Sequence, residues 1–334
     1  MSKNMNENSS CRLGTVGGQA VIEGVMMKSK EHVALSVRKT DGSIITEISK
    51  FTTIRDKYKI LNLPIIRGIV NFVETMILSF KTLNRSADLL GIEEEPSKLE
   101  KWLEKKFGKS ITAIASVIGT VLGLFLSIFL FMYLPAVVSD LVSMINPNIY
   151  LKSIIEGIMK IVIFILYIYL CSLIPDMKRV FQYHGAEHKS IFCHEAGLEL
   201  TPENVKKQIR FHPRCGTSFL FVMMFIGIIV SVFYIELPRL PRVLVKLLLL
   251  PLIVGIGVEF IKFAGTHDNI FIRILSAPGL WVQRLTTKEP DVSQIEVAIA
   301  SLKAALPDIY PNDSTNTTNN SGDNIEENTT DDIQ

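Results

Sequence analysis

The sequence predicts a mainly α fold: a polytopic membrane helix bundle with a small N-terminal cytoplasmic β element. Three observations lead there. Apolar residues make up 48% of the 334-residue chain, and mean hydropathy is +0.32. That apolarity is concentrated in four runs, residues 111–134, 154–174, 217–235 and 243–264. Each is close to or above the roughly 18 apolar residues that span a bilayer as a helix. Upstream of them, short β-rich runs flank an Asp-Gly pair, which is a hairpin signal.

The elements follow in order. Residues 1–12 are polar and lack an apolar core with a small-residue cleavage site, so they are expected to be disordered and not a cleavable signal peptide. Residues 13–56 form the β element. Val33–Arg38 and Ser43–Ile48 flank Thr40-Asp41-Gly42, and the glycine-bracketed run Gly17–Met27 is expected to add a third strand. It lacks the Lys-Ser/Thr ending of a phosphate-cradling loop. Residues 61–90 read as an amphipathic or re-entrant helix, because Arg67, Asn71, Glu74, Lys81, Arg85 and Asp88 recur every three or four positions. Residues 175–216 are a loop with a helix between the second and third spans. Residues 266–306 form a C-terminal segment with a turn signal at Ser276-Ala277-Pro278-Gly279 and an amphipathic helix from Ser293 to Leu306. Residues 307–334 are rich in Asn, Ser, Thr, Asp and Glu, and such a tail has too little apolar surface to order itself.

Loop charge orients the bundle. Lys98, Lys101, Lys105, Lys106 and Lys109 precede the first span. Lys178, Arg179, Lys189, Lys206, Lys207, Arg210 and Arg214 lie between the second and third. The other loops carry only Lys152, Arg239 and Arg242. The positive-inside rule then predicts a multi-pass protein of the cell membrane with both termini cytoplasmic. A formal net charge of +2 gives no reason to expect a nucleic-acid partner. Cys11, Cys171, Cys193 and Cys215 are thiols or metal ligands in a reducing cytoplasm before they are disulfides.

The segment Tyr183-His184-Gly185-Ala186-Glu187-His188 carries the chemistry. On a helix at about 100° per residue, Glu187 and His188 fall about 60° and 40° either side of His184. Two imidazoles and a carboxylate on one face suit a divalent metal, and His-x-x-Glu-His is a known hydrolase order. His212-x-x-Cys215, just before the third span, has knuckle spacing that lets two ligands reach one ion. Glu259 interrupts an apolar run near its cytoplasmic end and is a further candidate ligand, although Lys262 offers it an intrahelical ion pair. Cys193 and His194 fit less well. On a continuous helix Cys193 faces away from His184, and His194 lies about 15 Å along the axis. His267-Asp268 is an alternate pair.

Four motifs also carry a family resemblance: Gly17–Met27, Tyr183–Lys189, Phe211–Phe219 and Pro278–Asp291. With them the chain resembles the YqhQ-like family of bacterial membrane proteins, which has a domain of unknown function. The resemblance implies an integral membrane location and, because the family is described as predicted metal-dependent enzymes, a metal-dependent activity.

Three functions are consistent with these residues. The first is a zinc-dependent hydrolase at the membrane–cytoplasm boundary, acting on a peptide or lipid-linked substrate. Glu187 is then the general base, His184, His188 and Glu259 are ligands of zinc or another divalent metal, and His212 and Cys215 support the site. The second is a non-enzymatic scaffold or assembly factor in the lipid bilayer, clamped by zinc on His184, His188, His212 and Cys215. The third is a transporter with Arg67, Glu74 and Glu259 lining a path, which the absence of visible internal repeats disfavours.

Overall fold

The computed structural model describes residue 12 and residues 14–91, 110–266, 270–311 and 317–319. Cys11, the five lysines from Lys98 to Lys109, His267 and Asp268 lie outside the described residues, as do most of the polar tails. The architecture is mainly helical with a small N-terminal sheet, the class expected from the sequence.

Four antiparallel strands run as a meander: β1 (Gly17–Val21), β2 (Gly24–Lys28), β3 (His32–Arg38) and β4 (Ile44–Lys50). The run expected to be one strand over residues 17–27 is two. Ile22 and Glu23 form a two-residue loop between Val21 and Gly24, with Glu23 at a φ of 51°. A left-handed Glu is costly. Its carboxylate is held in return by an ion pair with Arg179 and by the Tyr183 hydroxyl, which donates at 3.2 Å. The Asp-Gly turn between β3 and β4 forms as its chemistry dictates. Gly42 takes a φ of 87°, and Asp41 accepts from the Ser43 N–H at 2.8 Å. A short β5 (Thr317–Asn319) pairs parallel to β4 from within the polar tail, which the sequence reading left without structure.

Among the described residues the longer helices are α1 (Ile66–Leu89), α2 (Ser110–Ile128), α3 (Leu134–Ser143), α4 (Ile149–Ser172), α5 (Pro175–Glu195), α6 (Gly216–Ser231), α7 (Arg239–Thr266), α8 (Ile270–Thr286) and α9 (Val292–Ala305). A π-helical turn, Phe129–Tyr133, joins α2 to α3, with Pro135 just after it in the same continuous helical run. Among the described residues three stretches are long and apolar enough to cross a membrane: Ile118–Ser143, Ile149–Ser172 and Arg239–Phe263. The fourth expected span is shorter than its apolar run. α6 has 16 residues, about 24 Å of helix against roughly 30 Å of hydrocarbon. Tyr234 and Ile235, the last of that run, are buried in the turn after it.

Period-2 alternation sorts the sheet into two faces. Val25, Met27 and Ala34 pack with Tyr183, Ala186, Ile295, Ala298 and Leu302, so α5 and α9 cover one side. Val21, Met26, Val33, Leu35 and Val37 pack with Leu78 of α1 on the other. α9 starts at a capping box formed by Asp291 and Gln294.

One expectation needs correction here. The turn signal at Ser276–Gly279 lies inside α8, with Pro278 in mid-helix. A Cβ on Gly279 would sit 2.7 Å from the Ser218 Cα, so the glycine serves close helix packing against α6 and no turn. Three residues of the polar stripe of α1 have partners on other elements. Arg67 is ion-paired with Glu259 of α7, Glu74 accepts from the Thr53 hydroxyl and the Ile54 N–H at 2.8 Å each, and Arg85 is bonded to Glu47 of β4. The stripe fastens the helix to the sheet element and to α7.

This packing separates two kinds of apolar residue. Leu302 is fully buried between sheet and helices, whereas Leu122 is 62% exposed on a candidate span. Leu302→Ala is expected to destabilise the detergent-purified protein by about 2–5 kcal/mol through cavity formation. Leu122→Ala should shift the unfolding midpoint little.

Candidate metal centre

Three donors from two segments converge at the start of α6. His184 and His188 share a face of α5, and Cys215 is the N-cap residue of α6. One donor atom from each lies within 4.8 Å of the others. His184 Nε2 and Cys215 Sγ are 3.2 Å apart, and His188 also hydrogen-bonds to the thiol. The two imidazole rings stand 4.4 Å apart, centroid to centroid.

The orientation of each ring is fixed from behind. His184 Nδ1–H donates to the Thr286 carbonyl at 2.8 Å, and His188 Nδ1–H donates to the Arg210 carbonyl at 2.5 Å. Both carbonyl bonds select the tautomer whose Nε2 lone pair faces Cys215. Such a backing hydrogen bond is the usual companion of a metal-ligating histidine. Gly185 explains how the Thr286 carbonyl arrives. The connection from α8 to α9 crosses α5 at this glycine, where Lys288 N–H donates to the Phe181 carbonyl at 2.8 Å. A Cβ on Gly185 would overlap the Lys288 carbonyl oxygen, which is backbone and has nowhere to go.

Glu187 lies beside the cluster, 4% exposed, with Oε2 3.9 Å from His184 Nε2. It accepts from the Gly18 N–H of β1. A side chain at position 18 would collide with the Met26 carbonyl oxygen at 2.8 Å and the Glu187 Cγ at 2.9 Å, so Gly18 lets the strand lie against this carboxylate.

The remaining expected ligands are elsewhere. Glu259 is held by Arg67 and takes no part in the donor cluster. His212 has the knuckle spacing, but its Nε2 faces Glu195 at 3.7 Å and its ring is 5.6 Å from that of His188. Its main chain does the positioning. The His212 N–H donates to Gln283 Oε1, and Gln283 Nε2 donates to the His212 carbonyl, each at 2.7 Å. Gln283 Nε2 also donates to the Ser218 hydroxyl at 3.0 Å, which ties the turn bearing Cys215 to α8. Glu195 in turn is ion-paired with Arg214 and accepts from the Gly14 N–H at 3.0 Å. Cys193 is buried in the core, and His194 bonds to Tyr310 and Thr15. Gln283, Glu195 and Thr286 carried no signal of their own. Gln283 lay inside a motif that showed the resemblance without showing a role.

Burial opposes charge on every member of the cluster, and the partners decide which groups carry it. For Cys215 burial pushes the thiol up, but the adjacent His184 and His188 outweigh it and hold the thiol well below its ordinary range. His184 is raised to about 9: burial opposes the charge, and the Cys215 thiolate, Glu187 and the Thr286 carbonyl override it. Glu187 is raised by burial despite the two imidazoles and the Gly18 N–H. The metal-free cluster is therefore a thiolate–imidazolium pair beside a carboxyl group biased toward protonation. Cys193, by contrast, is raised by burial to about 11.

That contrast is measurable. In metal-free protein at about pH 7, alkylation should label Cys215 and spare Cys193. Gly185→Ala should displace the connection that holds His184 and move the Cys215 alkylation profile to higher pH, as read by mass spectrometry. An unchanged profile would separate Gly185 from the site.

With this geometry in hand, relatives can be compared. Residues 63–308 match a family described as a protein of unknown function, DUF1385. The chain is 38% identical over 296 residues to the "Uncharacterized protein YqhQ" of Bacillus subtilis (strain 168), covering 87% of this chain and 92% of that protein. No solved structure matches the chain. The family match spans both histidines of the cluster, Glu187 and Cys215, and the chain belongs to the DUF1385 family.

Proposed function

We propose that the protein is a zinc-dependent hydrolase of the cell membrane, multi-pass with both termini cytoplasmic, acting at the membrane–cytoplasm boundary on a peptide or lipid-linked substrate. One observation carries the reading. His184, His188 and Cys215 present three converging donors, both imidazoles backed by carbonyls, with the carboxylate of Glu187 beside them.

The donor set fits zinc. Zinc bond lengths of about 2.05 Å to nitrogen and 2.3 Å to sulfur place tetrahedral N and S ligands about 3.6 Å apart, close to the 3.2 Å between His184 Nε2 and Cys215 Sγ. Three protein ligands is the count of a catalytic site; four is the count of a structural one. When bound, zinc would supply Lewis acidity and lower the pKa of water. Glu187 is the only carboxylate among the described residues beside the cluster. Its role is to accept a proton, and the Gly18 N–H holds it in place while doing so. Burial raises Glu187 above the ordinary carboxylate range, the direction that makes a carboxylate a stronger base. Cys215 caps α6, so the site sits where that apolar helix begins, which suits a substrate presented at a bilayer surface.

A structural role for the same ion is the second reading. The donors and their carbonyl partners join α5, α6 and the end of α8, so one ion would clamp three segments of a non-enzymatic scaffold. Glu187→Gln discriminates. Hydrolase function requires that zinc is retained and in vivo function is lost. A scaffold keeps both. Cys215→Ser should lower zinc affinity at least about tenfold under either reading, and unchanged zinc content would end both.

The proton on His184 sets a pH dependence. Zinc must displace it, so below about pH 9 the affinity should fall about tenfold per pH unit, with one proton released per ion. Calorimetry in buffers of different ionisation enthalpy reads that proton directly.

A further inference from the structure

The end of the bundle away from Cys215 carries a second, unrelated cluster. Glu156 is fully buried seven residues into α4, about 10 Å along the axis from its start. It is shared by Lys160 at 2.9 Å, Lys246 at 2.5 Å and Arg242 at 3.5 Å. Arg242 also reaches Asp140, which is paired in addition with Lys152 and Arg239. Among the described residues the network therefore joins five cations to two carboxylates. The nearby Glu236 is exposed on the turn before α7 and is not part of these pairs.

Such a charge excess within apolar helices is expensive unless something offsets it. The Lys246 Nζ is buried and has no hydrogen bond beyond its ion pair with Glu156. Lys246 and Lys160 both line a cavity of about 360 Å³ between α4, α6, α7 and the π-helical turn. The rest of its wall is mainly apolar and adaptable, with Phe164, Leu220, Met223 and Met224 prominent. The cavity thus has a cationic end and an apolar body. Apart from Tyr234 in the turn after α6, every residue lining it belongs to a candidate span or to the apolar helix α6, so an occupant enters from the bilayer.

We propose that this cavity is a binding site for an anionic phospholipid. Its phosphodiester sits against Lys160 and Lys246, neutralising the excess charge around Glu156, and an acyl chain fills the apolar body. Basic pockets between spanning helices are suited to acidic lipid headgroups. The cavity touches α6 from Leu220 to Gly227, about 8–18 Å along the helix from Cys215, shares no residue with the candidate metal site and does not depend on the metal reading.

The test uses the full chain in detergent, exposed to equal amounts of phosphatidylglycerol and phosphatidylcholine and examined by native mass spectrometry. Parallel samples receive palmitate or inorganic phosphate alone. The expected result is retention of phosphatidylglycerol by about tenfold or more over phosphatidylcholine. Two variants localise it. Gly227→Leu projects into the cavity, where a Cβ meets no atom within 4 Å, and should remove the lipid while leaving the ion pairs in place. Lys160→Met leaves Glu156 paired with Lys246 and Arg242 and should reduce the headgroup preference severalfold. Equal retention of the two phospholipids would overturn the proposal. So would a phosphatidylglycerol adduct that survives both substitutions, or capture of palmitate or free phosphate in its place.

Discussion

Two hydrogen bonds that point away from the site determine what the site is. The Thr286 and Arg210 carbonyls take the Nδ1 protons of His184 and His188, and both Nε2 atoms are thereby turned toward Cys215. Without them the imidazoles of a buried helix face would be free to rotate and exchange tautomers. Much of the surrounding architecture serves this constraint. Gly185 lets the α8–α9 connection cross α5, Gln283 fixes the turn that ends at Cys215, and Glu195 anchors Arg214 and the N-terminal Gly14.

The sheet contributes more than a platform. It is packed on one face by α5 and α9 and on the other by α1, so β1 lies alongside the helix that carries His184 and His188, and its Gly18 reaches Glu187. The helix packed on the sheet's other face, α1, is in turn fastened to the candidate span α7 through Arg67 and Glu259. The glycine-rich N-terminal motif and the His-x-x-Glu-His motif, more than 150 residues apart, are thus parts of one structure.

What was legible in the sequence was periodic or local. Apolar runs marked the candidate spans, Asp41-Gly42 marked a hairpin, and the i, i+4 spacing put His184 and His188 on one face. What was not legible depended on contacts between distant segments. Glu259 had a legible local partner in Lys262, which it meets at 3.8 Å, but nothing local shows that Arg67 lies across from it and holds it away from the donor cluster. His212 shares the knuckle spacing with Cys215, yet Glu195 draws its ring away and only Cys215 joins the cluster. Pro278-Gly279 has the composition of a turn, but packing of α8 on α6 keeps it helical. α6 fell short of its apolar run because the chain turns after Ser231 and buries Tyr234 and Ile235.

X-ray absorption at the zinc edge of the purified, zinc-loaded protein tests the central claim most directly. Two imidazole nitrogens at about 2.0–2.1 Å, a single sulfur at about 2.3 Å and one further light-atom neighbour are expected. A third imidazole in the inner sphere, or no sulfur at all, would contradict it.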